Sequence, residues 1–200
     1  METQIKFVVV GHHSRRLQAE QLTLLLSAHL LIDEGQHGAN WNHRRAIAWA
    51  SEQSCRVVIV EDDALLVADF IRAVSRWLAR FPNDMVSFYL GTGRPPHYQL
   101  EIATKLIDAD KRQADYIAIN RLIHGVCYSV PVHKLQQILS RWNCGSPADY
   151  AVSDACGGTV VYPCYSLVDH ADELPVELHP DSIPRTERRR AWRLYSGNII

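Results

Sequence analysis

The stretch Arg56-Val-Val-Ile-Val-Glu-Asp-Asp63 decides the fold. Residues 57–60 are four apolar residues in a row, a pattern typical of a parallel strand that is buried on both faces. Three carboxylates, Glu61, Asp62 and Asp63, follow directly. Ligands bind at the carboxyl ends of strands in open α/β sheets, and crowded carboxylates repel each other unless a cation or a proton compensates them. The triplet is therefore either a cation site or an acidic turn that caps a helix starting near Ala64.

On both sides of this stretch, apolar strands alternate with segments of helical periodicity. The predicted strands cover residues 5–10, 29–33, 56–60 and 85–90, then 116–119, 123–130 and 159–162. The predicted helices cover residues 17–26 with Ser14 as N-cap, 41–53, 64–81, 98–110, 132–142 with Pro131 in the first turn, and 149–156. This alternation predicts an α/β fold with a mixed, mostly parallel sheet that is flanked by helices.

The composition limits the classes of function. The chain has 200 residues, of which 21 are Lys or Arg and 22 are Asp or Glu, and this balance excludes a globally basic nucleic-acid binder. The odd number of cysteines, five, and the absence of a Cys-x-x-Cys pair argue against a zinc ribbon or a complete disulfide framework. No signal-peptide pattern or long apolar stretch is present, so we expect no membrane span and a cytoplasmic location. We expect one domain over residues 1–173 and a basic tail over 174–200.

A second candidate site follows the first predicted strand. Gly11, Ser14, Arg15 and Arg16 lie in this loop. With one glycine it is not a glycine-rich phosphate loop, but a serine and two arginines at a strand end could hold the phosphate or ribose of a nucleotide. The alternative is a helix N-cap with exposed arginines.

Five segments carry a resemblance to a known family. Residues 57–70, VVIVEDDALLVADF, resemble the metal-motif region of GT-A fold glycosyltransferases, and more narrowly of family twenty-five, the bacterial lipopolysaccharide-type transferases. Residues 37–49, HGANWNHRRAIAW, are similar to the Gly-x-x-x-Ser-His segment of that family, with Asn42 where Ser is usual. Residues 124–130, 147–149 and 161–163 resemble three later segments. The chain resembles the small members encoded by phages and some bacteria.

The resemblance implies a single-domain GT-A, Rossmann-like fold and a nucleotide-sugar donor, usually a UDP-sugar. It also implies Mn²⁺ or Mg²⁺, which would neutralise the leaving diphosphate. By resemblance, Asp63 is a metal ligand and Glu61 assists it, while Asp62 and His43 belong to the donor site. His170 would complete the metal shell, and imidazole suits Mn²⁺ better than Mg²⁺. The alternative for His170 is an ordinary loop histidine.

Two further groups of residues complete the predicted site. Asp149 and Asp154 are the candidates for a base that deprotonates the acceptor hydroxyl, and the alternative for Asp149 is the N-cap of a short helix. Arg188 and Arg189 lie in an arginine-rich part of the tail. If this part is a lid, they clamp the donor diphosphate. The alternatives are a solvated tail and a landing patch for an anionic acceptor.

The sequence thus predicts a metal-dependent glycosyltransferase. Its acceptor could be a surface glycan, a protein or a modified nucleic acid. Two other classes stay open, a metal-dependent phosphoesterase or nuclease and a non-catalytic module that binds nucleotides or glycans on the same fold.

Overall fold

Strands and helices alternate along most of the chain, as the sequence predicts. The structure is a computed structural model that describes residues 4–171, 173, 176, 188–195 and 199. The strands are β1 (Ile5–His12), β2 (His29–Asp33), β3 (Arg56–Glu61), β4 (Ala64–Leu66), β5 (Met85–Ser87), β6 (Tyr116–Ile119), β7 (Cys127–Ser129), β8 (Val160–Pro163) and β9 (Val168–His170). The α-helices are α1 (Arg16–Leu26), α2 (Ala39–Ser51), α3 (Phe70–Arg80), α4 (Pro96–Arg112), α5 (Leu135–Ser140) and α6 (Ala148–Cys156).

Within the described part of the chain, seven strands form one mixed sheet in the order β2-β1-β3-β7-β5-β8-β6. β1 lies parallel to β2 and β3, and β5 lies parallel to β8. β7 runs antiparallel to β3 and β5, and β6 runs antiparallel to β8. Five strands therefore share one direction, which confirms the predicted mixed, mostly parallel sheet. The carboxyl ends of these five strands lie along one edge, where ligands bind in open sheets.

Helices cover both faces of the sheet because side chains alternate along each strand. In β1, Phe7 and Val9 pack on the face covered by α1 and α3, while Val8 and Val10 pack on the face covered by α2, α4, α5 and α6. Both faces of β1 and β3 are thus buried, which is why their sequences are apolar almost without interruption. None of the helices described is long and apolar enough to cross a membrane.

The prediction of one helix over residues 64–81 is wrong at its beginning. Ala64–Leu66 forms β4, which pairs antiparallel with β9, and α3 begins only at Phe70. Ala64 and Leu66 are buried while Leu65 is partly exposed, an alternation that suits a strand. The partner strand lies about a hundred residues away in sequence, so no local pattern reveals it. As a result, the acidic triplet does not cap a helix.

Three other predicted boundaries differ from the structure. β5 ends at Ser87 because the backbone beyond it bonds to other segments, such as the Phe88 carbonyl to the Leu167 N–H. The predicted strand over residues 123–130 is reduced to β7, and the helix over 132–142 is divided into a 3-10 turn and α5. Ser14 does not cap α1. It lies in a 3-10 turn whose capping residue is His12, and its own backbone N–H donates to His12 Nδ1 (3.3 Å).

A buried arginine ties the amino end of β3 to its surroundings. Arg56 is 5% exposed. Its guanidinium donates to Ser129 Oγ (2.9 Å), to the Ser129 carbonyl (3.2 Å), to the Pro82 carbonyl (2.8 Å) and to the Asp84 carbonyl. Burial lowers the pKa of Arg56 to about 10, so the side chain stays charged at neutral pH. One side chain thus satisfies several buried carbonyl groups between β3, β7 and the turn before β5.

We expect Arg56→Met to lower the free energy of unfolding by about 3 kcal/mol, because each buried carbonyl left without a donor costs ~1–3 kcal/mol. Urea unfolding followed by circular dichroism measures this loss. Arg44→Met is the matched control, since Arg44 is exposed on α2. Equal stability of Arg56→Met and Arg44→Met would contradict the conclusion that the hydrogen bonds of Arg56 stabilise the fold.

Candidate active site

The acidic triplet begins at the carboxyl end of β3. The Glu61 N–H donates to the Val126 carbonyl (2.8 Å), and the Asp62 N–H donates to the Val10 carbonyl (3.1 Å). The side chains of Asp62 and Asp63 are 5% exposed, whereas the Glu61 side chain is 27% exposed. The triplet therefore consists of two buried carboxylates and one that reaches solvent.

The two buried carboxylates share the cation Arg15. Arg15 Nη1 donates to Asp62 Oδ1 (3.1 Å) and to Asp63 Oδ2 (2.5 Å). The second Asp62 oxygen accepts from the His12 N–H (2.7 Å). Burial raises the pKa of Asp62 to about 6, although these donors lower it. Burial lowers the pKa of Arg15, but the charges of Asp63 and Asp62 outweigh burial, so the pKa is raised overall.

This geometry changes the roles expected for Arg15 and Asp62. Both are predicted from the sequence to hold the donor nucleotide, yet Arg15 is 5% exposed and points to the triplet, and both Asp62 oxygens are occupied. A buried pair of carboxylates without a cation would be costly. Arg15 is therefore the internal counter-ion of the triplet, and Asp62 fixes it beside Asp63.

Asp63 keeps one buried oxygen without a hydrogen-bond partner, Oδ1. Burial raises the pKa of Asp63, although the charge of His170 lowers it. The β4–β9 ladder brings His170 Nε2 to 3.5 Å from Asp63 Oδ2. His170 Nδ1 lies 2.6 Å from the Ala171 carbonyl oxygen, which can only accept. Nδ1 therefore carries a proton, and Nε2 is the ring nitrogen that faces Asp63.

These groups fit a divalent cation that arrives with a ligand. Among the residues described, no three His, Cys, Asp or Glu side chains form a ready-made ion cage. However, a buried carboxylate oxygen without a partner and an imidazole nitrogen lie in the same place, and the charge of Glu61 acts on Asp63. One or two carboxylates together with substrate phosphates are the usual shell of Mg²⁺ at nucleotide sites. Asp63, His170 and Glu61 would hold such a cation.

Glu61 is held by a buried hydrogen-bonded pair, His43 and Tyr128. His43 Nε2 lies 3.1 Å from Glu61 Oε1, and His43 Nδ1 lies 3.0 Å from the Tyr128 hydroxyl. Because a carboxylate only accepts, Nε2–H donates to Glu61, while Nδ1 forms the hydrogen bond with the Tyr128 hydroxyl. Burial raises the pKa of Glu61, but this bond and the charge of His43 outweigh it, so the pKa of Glu61 is lowered. His43, predicted from the sequence for the donor site, thus orients Glu61.

Gly125 leaves room for this arrangement. A Cβ atom at position 125 would lie 2.7 Å from Glu61 Oε1 and 3.3 Å from His43 Cε1. The residue must therefore be glycine for Glu61 to reach His43. Gly125 and Tyr128 belong to a segment that the sequence marks by resemblance, but their contact with Glu61 was not predicted.

The two candidate bases are placed very differently. Asp149 lies in the first turn of α6, and its Oδ1 accepts from the Tyr150 N–H (2.9 Å). Burial raises the pKa of Asp149 to about 7, the charge of Glu61 adds to this increase, and His43 opposes it. Asp154 has a half-exposed side chain that is paired with Arg121 Nη2 (2.7 Å) and Nε (3.0 Å). The charge of Glu61 therefore acts on Asp149, whereas Asp154 is held in an ion pair with Arg121.

The remaining residues of this predicted site contribute no side chain to the triplet. Gly11 lies in β1, where a Cβ would be 2.8 Å from Ala19 and Ile32 and 3.6 Å from Asp62 Cβ, so its role is close packing of α1, β2 and Asp62 on β1. Ser14 Oγ lies 2.7 Å from His12 Nδ1. Arg16 is exposed and forms ion pairs with Glu20 (3.5 Å) and Glu34.

The described part of the C-terminal segment, residues 188–195, docks on the body of the protein. The Ala191 N–H donates to Asp169 Oδ1 (2.7 Å), and Thr92 N–H donates to the Arg190 carbonyl (2.9 Å). This segment contains no helix, so a helical stripe of arginines does not form there. The charge of Arg189 acts on Glu61 and on Asp63, whereas Arg188 is exposed. Arg185, a further member of the arginine-rich tail, lies outside the described residues.

A partly buried histidine, which the sequence does not mark as a site residue, holds the loop next to this segment. His124 Nδ1 accepts from the Gly91 N–H (3.4 Å), and Nε2 donates to the Arg94 carbonyl (2.8 Å). Burial lowers the pKa of His124 to about 4, so the ring is neutral at physiological pH. His124 precedes Gly125 directly, and the same short segment therefore shapes both the triplet and the loop at residues 91–94.

We expect Gly125→Ala to displace Glu61 from His43 at a small cost in stability, about 1 kcal/mol, because a methyl group is forced against the end of a movable side chain. The His43 ring resonances in NMR spectra report the lost bond, and urea unfolding reports stability. The control is Gly145→Ala, where the new Cβ meets an atom only at 3.5 Å. Unchanged His43 resonances in Gly125→Ala would contradict the geometry.

We expect Asp149 to destabilise the folded protein as the pH rises. Its folded pKa, about 7, lies above the ordinary value of 3.8. Its stabilising contribution is therefore complete below pH ~4 and is lost as the pH rises through ~7. Asp149→Asn removes this loss, so its stability relative to the wild type should increase from pH 4 to pH 8 by up to about 4 kcal/mol, because each pKa unit corresponds to ~1.4 kcal/mol. Urea unfolding across this range tests the prediction, with Asp108→Asn as control. Parallel profiles of Asp149→Asn and the wild type would refute it.

Comparisons with known proteins establish the fold but not a family. No protein-family model matches the sequence, and no curated protein matches it either. Among solved structures, the chain is similar to A197 from STIV, with a TM-score of 0.56 and 11% sequence identity. The similarity covers 98% of this chain and 97% of that chain. At this identity the likeness shows a shared fold, which agrees with the single α/β architecture described above.

Proposed function

We propose that the protein is a glycosyltransferase that moves a sugar from a nucleotide-sugar, a UDP-sugar in the first instance, to an acceptor hydroxyl at the carboxyl edge of the sheet. The observation that carries this proposal is the buried oxygen of Asp63 that has no hydrogen-bond partner and lies next to His170 at the carboxyl end of β3. Asp149, in the first turn of α6, feels the charge of Glu61, and burial raises its pKa to about 7. A cation site together with a base poised near neutral pH is the combination that inverting glycosyl transfer needs.

The donor side of the proposed site contains the triplet and the C-terminal segment. Asp63, with Glu61 and His170, would hold Mn²⁺ or Mg²⁺, which supplies Lewis-acid stabilisation of the leaving diphosphate. Arg189 brings a guanidinium to the same place, since its charge acts on both Glu61 and Asp63. A guanidinium binds phosphate oxygens well and stays charged at any working pH. This supports a role for residues 188–195 in donor binding.

On the acceptor side, Asp149 takes the proton of the acceptor hydroxyl. The hydroxyl oxygen then forms a bond to the anomeric carbon, while the bond from that carbon to the diphosphate oxygen breaks and its electron pair leaves with the diphosphate. His43 keeps Glu61 in place through its Nε2–H, and Arg15 keeps the buried carboxylates compensated throughout. Neither residue needs to change its protonation in this step.

Two rival functions have weaker support. A two-metal phosphoesterase or nuclease needs a second acidic cluster, whereas among the residues described no three His, Cys, Asp or Glu side chains form even one ready-made metal cage. A non-catalytic module that binds nucleotides or glycans would use the same surface without Asp149. A measurement of nucleotide-sugar turnover distinguishes this module from the enzyme.

The test is a donor screen. We expect release of the nucleoside diphosphate from at least one nucleotide-sugar in the presence of Mn²⁺, measured with a coupled assay. Asp149→Asn should lower transfer by ~10²–10⁴-fold and leave UDP binding by calorimetry intact, because it removes only the base. Asp63→Asn should abolish UDP binding in the presence of Mn²⁺. Asp108→Asn, on the exposed face of α4, is the control.

Three outcomes would count against the proposal. Nucleotide binding without turnover of any donor would favour the binding module. Cleavage of phosphodiesters without nucleotide-sugar turnover would favour the phosphoesterase. If Asp154→Asn loses transfer and Asp149→Asn does not, the assignment of the base is wrong.

A further inference from the structure

The C-terminal residues 190–195 connect the two segments that follow β5 and β8. The Trp192 N–H donates to the Leu90 carbonyl (2.9 Å) after β5, and the Ser166 N–H after β8 donates to the Arg193 carbonyl (2.8 Å). Because β5 and β8 are parallel, both segments lie at the carboxyl edge of the sheet. Residues 190–195 therefore dock, through backbone hydrogen bonds, at the edge that also carries the acidic triplet.

Asp169 joins this C-terminal segment to the candidate cation site. Its Oδ1 accepts from two backbone donors, the Ala191 N–H (2.7 Å) and the His170 N–H (2.9 Å). His170 is the next residue of β9, and its Nε2 lies 3.5 Å from Asp63 Oδ2. One carboxylate oxygen is thus bonded both to the C-terminal segment and to the backbone of the histidine that faces Asp63.

The ladder that positions His170 is short. β4 and β9 have three residues each, and among the strands described they pair only with each other. Two isolated strands are marginally stable in water at best. Contacts outside the ladder must therefore hold β9 in place. The bond from Ala191 to Asp169 is one of them, and the Ala171 N–H, which donates to the Asp63 carbonyl (2.8 Å), is another.

The C-terminal segment has a second anchor on α4. Arg193 donates through two nitrogens to the Asp110 carboxylate (2.6 and 2.7 Å), and Trp192 Nε1–H donates to Gln99 Oε1 (2.9 Å). These contacts, together with the backbone bonds, keep the segment attached when the Asp169 bond is lost. A substitution of Asp169 therefore tests the connection to the cation site and not the attachment of the whole segment.

We propose that Asp169 is a positioning residue that couples docking of residues 190–195 to cation binding beside His170, an inference that rests on the cation site of the proposed function. Docking holds the Asp169 carboxylate, which in turn holds the backbone of His170. A cation bound to the His170 ring restrains the same backbone and so favours docking. Such coupling is reciprocal, because docking raises the affinity for the cation by the factor by which the cation stabilises docking.

The first experiment measures ligand affinity. UDP is titrated by calorimetry into the full chain at saturating Mn²⁺. Asp169→Ala should weaken UDP binding about tenfold, the equivalent of one hydrogen bond to a charged acceptor, because His170 is no longer held. Asp169→Asn keeps an acceptor oxygen, so its affinity should stay within about threefold of the wild type. Asp108→Ala, on the exposed face of α4, is the matched control.

The second experiment separates coupling from a general loss of stability. Exchange of the Ala191 amide hydrogen with solvent is followed by NMR, with and without UDP and Mn²⁺. In the wild type the ligands should slow this exchange about tenfold, as reciprocity requires. In Asp169→Ala the exchange should be faster and should respond to the ligands by less than about twofold. General destabilisation would instead speed the exchange of the amides of α2 as well.

Unchanged UDP affinity in Asp169→Ala would overturn the coupling and leave the proposed function intact. Exchange at Ala191 that the ligands do not slow in the wild type would do the same. Equal losses in Asp169→Asn and Asp169→Ala would also overturn it, since a positioning bond needs only an acceptor oxygen. If the wild type binds no UDP with Mn²⁺, while Asp169→Ala still speeds exchange at Ala191, the proposed cation site fails and the coupling fails with it, although Asp169 anchors the segment.

Discussion

The site depends on how three adjacent carboxylates at the end of a buried strand are compensated. Arg15 lies between Asp62 and Asp63, and His43 bonds to Glu61. A carboxylate taken out of water without such partners would protonate or destabilise the fold. Arg15 lies in the turn between β1 and α1. Its ion pair with Asp62 and Asp63 therefore also fixes the start of α1 relative to β3. The same ion pairs therefore compensate the carboxylates and position the backbone at this edge of the sheet.

The pairing of β4 with β9 brings residues from a distant part of the sequence to the acidic triplet. The chain leaves Asp63 as a strand instead of a helix, and the antiparallel partner delivers His170 to the same carboxylate. The residue before His170, Asp169, then anchors the C-terminal segment through the Ala191 N–H. Charged groups that lie far apart in sequence are thus connected by one short ladder, while Asp149 belongs to α6, on the other face of the sheet.

The sequence by itself determined the layered fold and the position of the candidate site at the end of β3. Unbroken apolar runs at residues 7–10 and 57–60 identify strands buried on both faces, and the carboxylates that follow β3 must lie at the ligand-binding edge. The segments around His43, Gly125 and Asp149 were also marked by resemblance. These features are local, because they depend on a period of two or on residues adjacent to a strand end.

Only the tertiary structure decided what each side chain at that edge does. The sequence could not tell that Arg15 turns inward to neutralise Asp62 and Asp63, that Ala64–Leu66 joins β9, or that Gly125 gives Glu61 room to reach His43. It also could not separate Asp149 from Asp154, which differ only in the partners that surround them. Such contacts join residues many positions apart, and their energies come from burial and charge pairing, which exist only once the chain has folded.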